Sequence, residues 1–122
     1  MATITNLYDP EPGRVLSMDW GKIQWLCGKE IDSEAEMTFG MVYIEAGKAN
    51  PRHYHPNCEE LIFVISGECD HTLGDETFHL KPGMMLRIPR GVPHNAKVTG
   101  WEPCRMIIAY SAADRQTIGE DD

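Results

Sequence analysis

The sequence predicts an all-β fold, a sandwich or barrel of short strands in a single domain. Three observations carry this expectation. Turn signals recur at close spacing, at Asp9 to Gly13, Ala46-Gly47, Ser66-Gly67, Gly74-Asp75, Lys81 to Gly83 and Pro89 to Gly91. The runs between them are short, and they either alternate or are continuously apolar. No segment keeps a 3.6-residue apolar period for three turns, so little helix is expected. Asp32 to Glu36 offers a single turn at most. The 122 residues suit one domain, 1–122, that buries a core without staples.

Trp20 to Cys27 reads as an early strand, and Met37 to Glu45 as the next. Leu61 to Ser66, Met84 to Ile88 and Pro103 to Tyr110 follow. Between Glu68 and Leu80 a hairpin turns on Gly74-Asp75, a favourable two-residue loop. That turn sets Leu73 opposite Glu76 and His71 opposite Phe78. One face then carries Cys69, His71, Leu73, Phe78 and Leu80, and the other carries Asp70, Thr72, Thr77 and His79. The first set is the apolar one and is predicted to face inward, with His71 inside and His79 in solvent. A three-residue loop would shift the register.

Eleven basic and 19 acidic side chains give a formal net charge of −8. Such a surface repels phosphate backbones, so no nucleic acid is expected as a partner. No apolar run approaches the ~20 residues that span a bilayer, so no membrane partner is expected. Met1 to Asn6 lacks the basic and apolar regions of a signal peptide. A cytoplasmic location is the resulting expectation. Cys27, Cys58, Cys69 and Cys104 show no C-x-x-C spacing and are expected to be free thiols in a reducing compartment. Two disulfides are the rival reading. The acidic end, 118–122, is expected to fray.

The chemistry concentrates in two stretches. In the first, His53 and His55 stand two apart and so point to one face of an extended strand. Glu60 opens the following apolar run. In the second, His94 follows the turn Pro89-Arg90-Gly91, which can swing a side chain back inward. Three imidazoles and one carboxylate suit a divalent transition metal ion, Fe, Mn, Co, Ni, Cu or Zn. Mg and Ca prefer all-oxygen shells and fit poorly. His53, His55, Glu60 and His94 are therefore the predicted metal ligands. Any one of these histidines alone is more simply a packing residue, but the set is not.

These stretches resemble the two cupin motifs. Gly47, His53, His55, Glu60 and Gly67 follow G-x5-H-x-H-x4-E-x6-G. Gly83, Pro89, Gly91 and His94 follow G-x5-P-x-G-x2-H, but Val98 stands where that motif ends in asparagine. Asn95 lies beside His94. Glu59 could satisfy a three-residue spacing, but Gly67 would then fall one place late. Alternation puts the two glutamates on opposite faces, so Glu60 is the predicted ligand. The resemblance covers residues 47–67 and 83–94. It implies a small single-domain cupin, a jelly-roll β-barrel of two antiparallel sheets around the metal.

The resemblance says less about the reaction, because one fold hosts many chemistries. Cupins with three histidines and one glutamate include dioxygenases, oxalate-degrading enzymes, isomerases and lyases. The leading expectation is an enzyme of dioxygenase type acting on a small polar or chelating substrate, with Glu60 both ligand and base. A metal-dependent lyase or isomerase on a sugar or carboxylate is the second reading. A non-catalytic small-ligand-binding module is the third. His71 is a catalytic candidate, as a general acid/base or a partner orienting a ligand; its alternative is a hydrogen-bonded histidine in the wall. Cys58, near the ligands, is either redox-reactive or incidental. Arg52 and Asn57 flank the ligands, and Tyr54 is expected to pack on the opposite face. Met41, Met84, Met85 and Met106 are expected in the core. Phe39, Tyr43, Ile62, Val64, Leu86, Ile88, Ile108 and Tyr110 are candidates to line the cavity. The resemblance also implies a homodimer, with Trp20 and Trp25 either at its interface or in the core.

Overall fold

The computed structural model describes residues 7–8 and 15–120. Among these residues eleven strands form: β1 Val15–Met18, β2 Gly21–Cys27, β3 Thr38–Ile44, β4 His53–Tyr54, β5 Glu60–Ser66, β6 Cys69–Leu73, β7 Glu76–Leu80, β8 Met85–Ile88, β9 His94–Lys97, β10 Cys104–Tyr110 and β11 Ile118–Gly119. No helix occurs among the described residues. They build two sheets, a six-stranded one in the order β1-β2-β3-β10-β5-β8 and a five-stranded one in the order β11-β4-β9-β6-β7. Every pairing is antiparallel. This is the expected jelly roll.

Strand alternation decides what each sheet shows the interior. β3 turns Thr38, Gly40, Val42 and Ile44 inward, and β5 turns Glu60, Ile62 and Val64 inward. Between them β10 contributes Met106, Ile108 and Tyr110. Register aligns these into rungs: Val42, Met106 and Val64 lie across from one another, as do Gly40, Ile108 and Ile62. The absence of a side chain at Gly40 has a purpose. A Cβ there would sit 2.8 Å from the ring of Trp25 on the adjoining β2, so glycine lets that indole lie across the sheet.

The β6–β7 hairpin takes the predicted register, with Leu73 opposite Glu76 and His71 opposite Phe78. His71 is buried and His79 is exposed, held between Asp70 and Glu68.

Asp32 to Glu36 forms a turn and no helix, within the single turn expected, with the Asp32 carboxylate accepting from the amide of Glu34. Three expectations need correction. Met85 is exposed because alternation along β8 turns it outward, and Met84 is exposed in the turn that precedes β8; Met106 is buried as expected. The end of the chain is not frayed throughout 118–122. Ile118–Gly119 pair with β4, and Arg52 holds Glu120 at 2.7 Å; Asp121 and Asp122 lie outside the described residues. Of the cavity candidates, Phe39 and Tyr43 occupy the outward positions of β3.

Candidate metal centre

β4 and β9 pair through a single rung, and that rung is His53 opposite His94. His55 lies just beyond β4, and Glu60 opens β5 in the other sheet. A turn closes the gap between the two halves of the site. Gly91 adopts φ +78°, the left-handed region that glycine enters without strain, and its amide donates to the carbonyl of His55 at 2.9 Å. The chain then emerges from Pro93 with His94 aimed inward.

One ligand atom from each of His53, His55, Glu60 and His94 lies within 4.8 Å of all the others. The imidazole rings pack at centroid separations of 4.4 Å for His53–His94, 4.9 Å for His53–His55 and 5.1 Å for His55–His94. Three of the four residues are buried, and His53 is half-buried. Glu59 points the other way and pairs with Arg87 at 2.6 Å. The choice of Glu60 over Glu59 by strand parity therefore agrees with the geometry.

Hydrogen bonding sets the state of the rings. His53 Nδ1 donates to the Pro51 carbonyl at 2.8 Å, His55 Nδ1 to the Gln116 carbonyl at 2.9 Å, and His94 Nδ1 to the Val92 carbonyl at 3.0 Å. A carbonyl only accepts, so each Nδ1 carries the proton and each neutral ring keeps a bare lone pair on Nε2. Those lone pairs meet the Glu60 carboxylate, itself an acceptor. His94 Nε2 is 3.0 Å and His55 Nε2 3.2 Å from Glu60 Oε1. The buried His55 Nε2 has no hydrogen-bond partner. Four electron-pair donors converging on one point repel one another unless a cation sits among them. The donor set thus fits a first-row divalent ion.

The ionisation states agree. Burial, helped by the neighbouring His94, pulls His53 down to about 4, against the Pro51 carbonyl and Glu60. Burial alone would raise Glu60, but the His55 and His94 rings set against its Oε1 hold it down, to about 2. Tyr110, opposite Glu60 in the β5–β10 register, is pushed well above its ordinary value by burial and by that carboxylate.

The site opens into a cavity of 270 Å³ between the sheets. Val42, Ile62, Met106 and Ile108 wall one side, and His71 lines the same space. Ile62, Ile108 and Tyr110 line it as expected; Val64 and Ile88 lie in the core instead. His71 is stacked on His94 with ring centroids 5.7 Å apart and planes at 17°. Neither of its nitrogens has a hydrogen-bond partner among the described residues, so the hydrogen-bonded wall reading does not describe it. Burial is the main cause of its pKa of about 4. Cys58 is buried, and burial raises its thiol. Trp20 and Trp25 both line the cavity.

Sequence reasoning missed the segment that closes this space, residues 111–117. Ser111 donates its amide to the Glu59 carbonyl. The Asn57 amide group donates to the Asp114 carbonyl, and its oxygen accepts from the Gln116 amide. The segment thereby delivers the Gln116 carbonyl to His55 and places Arg115 and Thr117 in the cavity wall. Nothing in its local sequence signals a strand or a motif. Only the flanking Asn57, a turn-type residue between two ligands, hinted at a docking point.

The Cupin domain family model matches residues 40–110. The chain belongs to the cupin family. Among curated proteins it is similar to polyketide synthase CurC of Streptomyces cyaneus, 32% identical over 84 residues covering 68% of this chain and 54% of that protein. Protein SchB of Streptomyces halstedii is 31% identical over 84 residues, 68% of this cupin and 61% of that protein. The cupin thus spans little more than half the length of these relatives. Oxalate decarboxylase from Bacillus subtilis at pH 4.6 shares the fold at TM-score 0.79 and 19% identity, over 93% of this chain and 30% of that one. The Lactobacillus farciminis enzyme in its formate complex matches at TM-score 0.81 and 16% identity, over 99% and 41%.

Proposed function

We propose that this cupin is a metal-dependent enzyme acting on a small chelating molecule, with His53, His55, Glu60 and His94 as the ligands. The observation that carries the reading is the convergence of three Nε2 lone pairs and one carboxylate on a point open to the cavity. The Mn(II) centres of the structurally similar B. subtilis oxalate decarboxylase are compatible with such a donor set. A divalent ion held there supplies a Lewis-acid centre with positions left for substrate oxygens.

The chain's own residues do the rest. The backbone carbonyls of Pro51, Val92 and Gln116 hold each imidazole in its ligating tautomer. Val42, Ile62, Met106 and Ile108 keep bulk water from the reacting molecule. Dioxygenase-type chemistry is the reaction class we favour, because apolar walls beside a metal admit dioxygen while excluding water. Proton-transfer chemistry of the lyase or isomerase type is the second reading. It is favoured by His71, whose unpartnered nitrogens face the same cavity and can take or give a proton. The test is turnover of chelating enols, diketones and hydroxy acids in an oxygen electrode, with the protein loaded with Fe or Mn. Oxygen uptake supports the first class, and turnover without oxygen moves the assignment to the second. Tight binding with no turnover under any gas phase makes the protein a binding module.

We also propose a cytoplasmic homodimer. No helix among the described residues is long and apolar enough to cross a membrane, and all four cysteines are thiols, which suits a reducing compartment. The interface we assign is the outer face of the six-stranded sheet, where Phe39 on β3, Leu61 and Phe63 on β5 and Met85 on β8 lie exposed. This is an exposed apolar patch on a chain of net charge −8, and the carboxylate beside it, Glu59, is paired with Arg87. Trp20 and Trp25 serve the cavity instead. A dimeric mass by light scattering that becomes monomeric in Phe63→Glu is the expected outcome; a monomeric wild type contradicts it.

A further inference from the structure

We propose that Arg115 is an anion-binding residue of the cavity, and that the molecule this cupin takes is a small carboxylate that also chelates the metal. The inference rests on the metal reading above and specifies its substrate class.

Among the described residues Arg52 and Arg115 line the cavity, and they are used differently. Arg52 is committed: it pairs with Glu120 at 2.7 Å and donates to the Thr72 hydroxyl at 3.0 Å and the Gly74 carbonyl at 2.9 Å. Arg115 is not. Among the described residues no carboxylate pairs with it, and its buried Nε has no hydrogen-bond partner. Its side-chain hydrogen bond goes to the Thr117 hydroxyl. The guanidinium carbon lies 4.2 Å from the Trp25 ring and 5.2 Å from the Tyr110 ring. Two aromatic faces hold it in place by cation–π attraction without neutralising it. The N–H donors that Thr117 does not use, the unpartnered Nε among them, are thus left for a planar anion, whose oxygens match the fork in geometry.

The placement ties Arg115 to the metal site. Tyr110, which packs against the guanidinium, also packs on His55 at 5.0 Å between ring centroids. The Thr117 hydroxyl that accepts from Arg115 lies 3.2 Å from His55 Nδ1. A carboxylate gripped by Arg115 therefore keeps its neighbouring hydroxyl or carbonyl oxygen within reach of the ligand cluster. Charge favours this. A divalent ion against one carboxylate leaves the cluster net positive, and Arg115 adds a second positive centre. An anion neutralises a site that a neutral molecule would leave charged and dry. The protein's overall acidity does not oppose this, since distant exposed charges are screened beyond ~10 Å.

The test uses the zinc-loaded protein. Glycolate, lactate and pyruvate are titrated calorimetrically beside their neutral amides, in wild type, Arg115→Met and Arg115→Lys. Elemental analysis and circular dichroism accompany each sample. The expected result is that at least one acid binds the wild type ten-fold or more tightly than its amide. Arg115→Met should lose that preference with zinc content and fold unchanged, and Arg115→Lys should keep part of it. Equal binding of acid and amide, acid preference surviving Arg115→Met, or no binding by any of the six molecules overturns the proposal. Failure of the wild type to hold zinc is a different result. It defeats the metal assignment first, and the chelating-carboxylate assignment falls with it.

Discussion

The six-stranded sheet turns Val42, Ile44, Ile62, Val64, Met106 and Ile108 into the interior, whereas the five-stranded sheet turns in His53, His71 and His94. The two layers face each other across the same barrel, yet the first turns in mainly apolar side chains while the second sets its polar rings among the apolar Cys69, Leu80 and Ala96. Glu60 is the exception, a buried charge at the first residue of a strand in the apolar sheet, directly across from the histidines. Burying imidazoles and a carboxylate without a cation opposes folding. The apolar sheet supplies the burial that tolerates it, so the division of labour separates residues that stabilise from residues that bind.

That comparison can be broken by substitution. Ile44→Ala, in the apolar sheet, should cost ~2–5 kcal/mol of stability through the cavity it leaves. Metal stoichiometry in the folded fraction should stay unchanged. His94→Ala, in the polar sheet, should lower metal affinity by on the order of 100-fold or more, measured by competition with a chelator, while the metal-free protein unfolds near the wild-type denaturant midpoint. If both variants lost metal and stability alike, the division would fail.

Acid should act on the polar sheet selectively. His53 and His71 take up a proton near 6.5 in the unfolded chain but only near about 4 when folded. Between those values the unfolded state binds more protons. Their contribution to metal-free stability is therefore complete above pH 6.5 and lost as pH falls toward 4. Denaturant melts of the metal-free protein should show a midpoint falling across that window, less steeply in a His71→Leu variant.

His71→Leu gives the smallest effect on folding. It replaces an unpartnered buried polar ring with an apolar side chain, so stability should hold or rise slightly. Metal content should be unchanged. If His71 moves a proton, turnover should fall by ~100-fold or more. Full activity in this variant would return His71 to a packing role.

Much of this was legible in the sequence because it is local. Strand limits agree to within a residue at Trp20 to Cys27, Met37 to Glu45 and Pro103 to Tyr110, since turn residues bound them. The Gly74-Asp75 loop dictated the hairpin register, and parity separated Glu60 from Glu59. The parts missed depend on contacts distant along the chain. Arg115 acquires meaning only when residues 111–117 fold back over Trp25. Gly119 pairs with His53, 66 positions earlier, so composition alone marked that end as a solvated tail. Met85 is exposed on the edge strand β8 and Met84 in the turn before it, a placement that hydrophobicity does not reveal.

The central claim is that His53, His55, Glu60 and His94 together hold one divalent transition-metal ion. Elemental analysis of protein purified without added metal, in wild type and in Glu60→Gln and His94→Ala variants, tests it most directly. The account predicts about one such ion per wild-type chain and a large loss in both variants at neutral pH. A folded wild-type protein with no transition metal, even after dialysis against Mn, Fe or Zn, would contradict it. So would full occupancy in the variants.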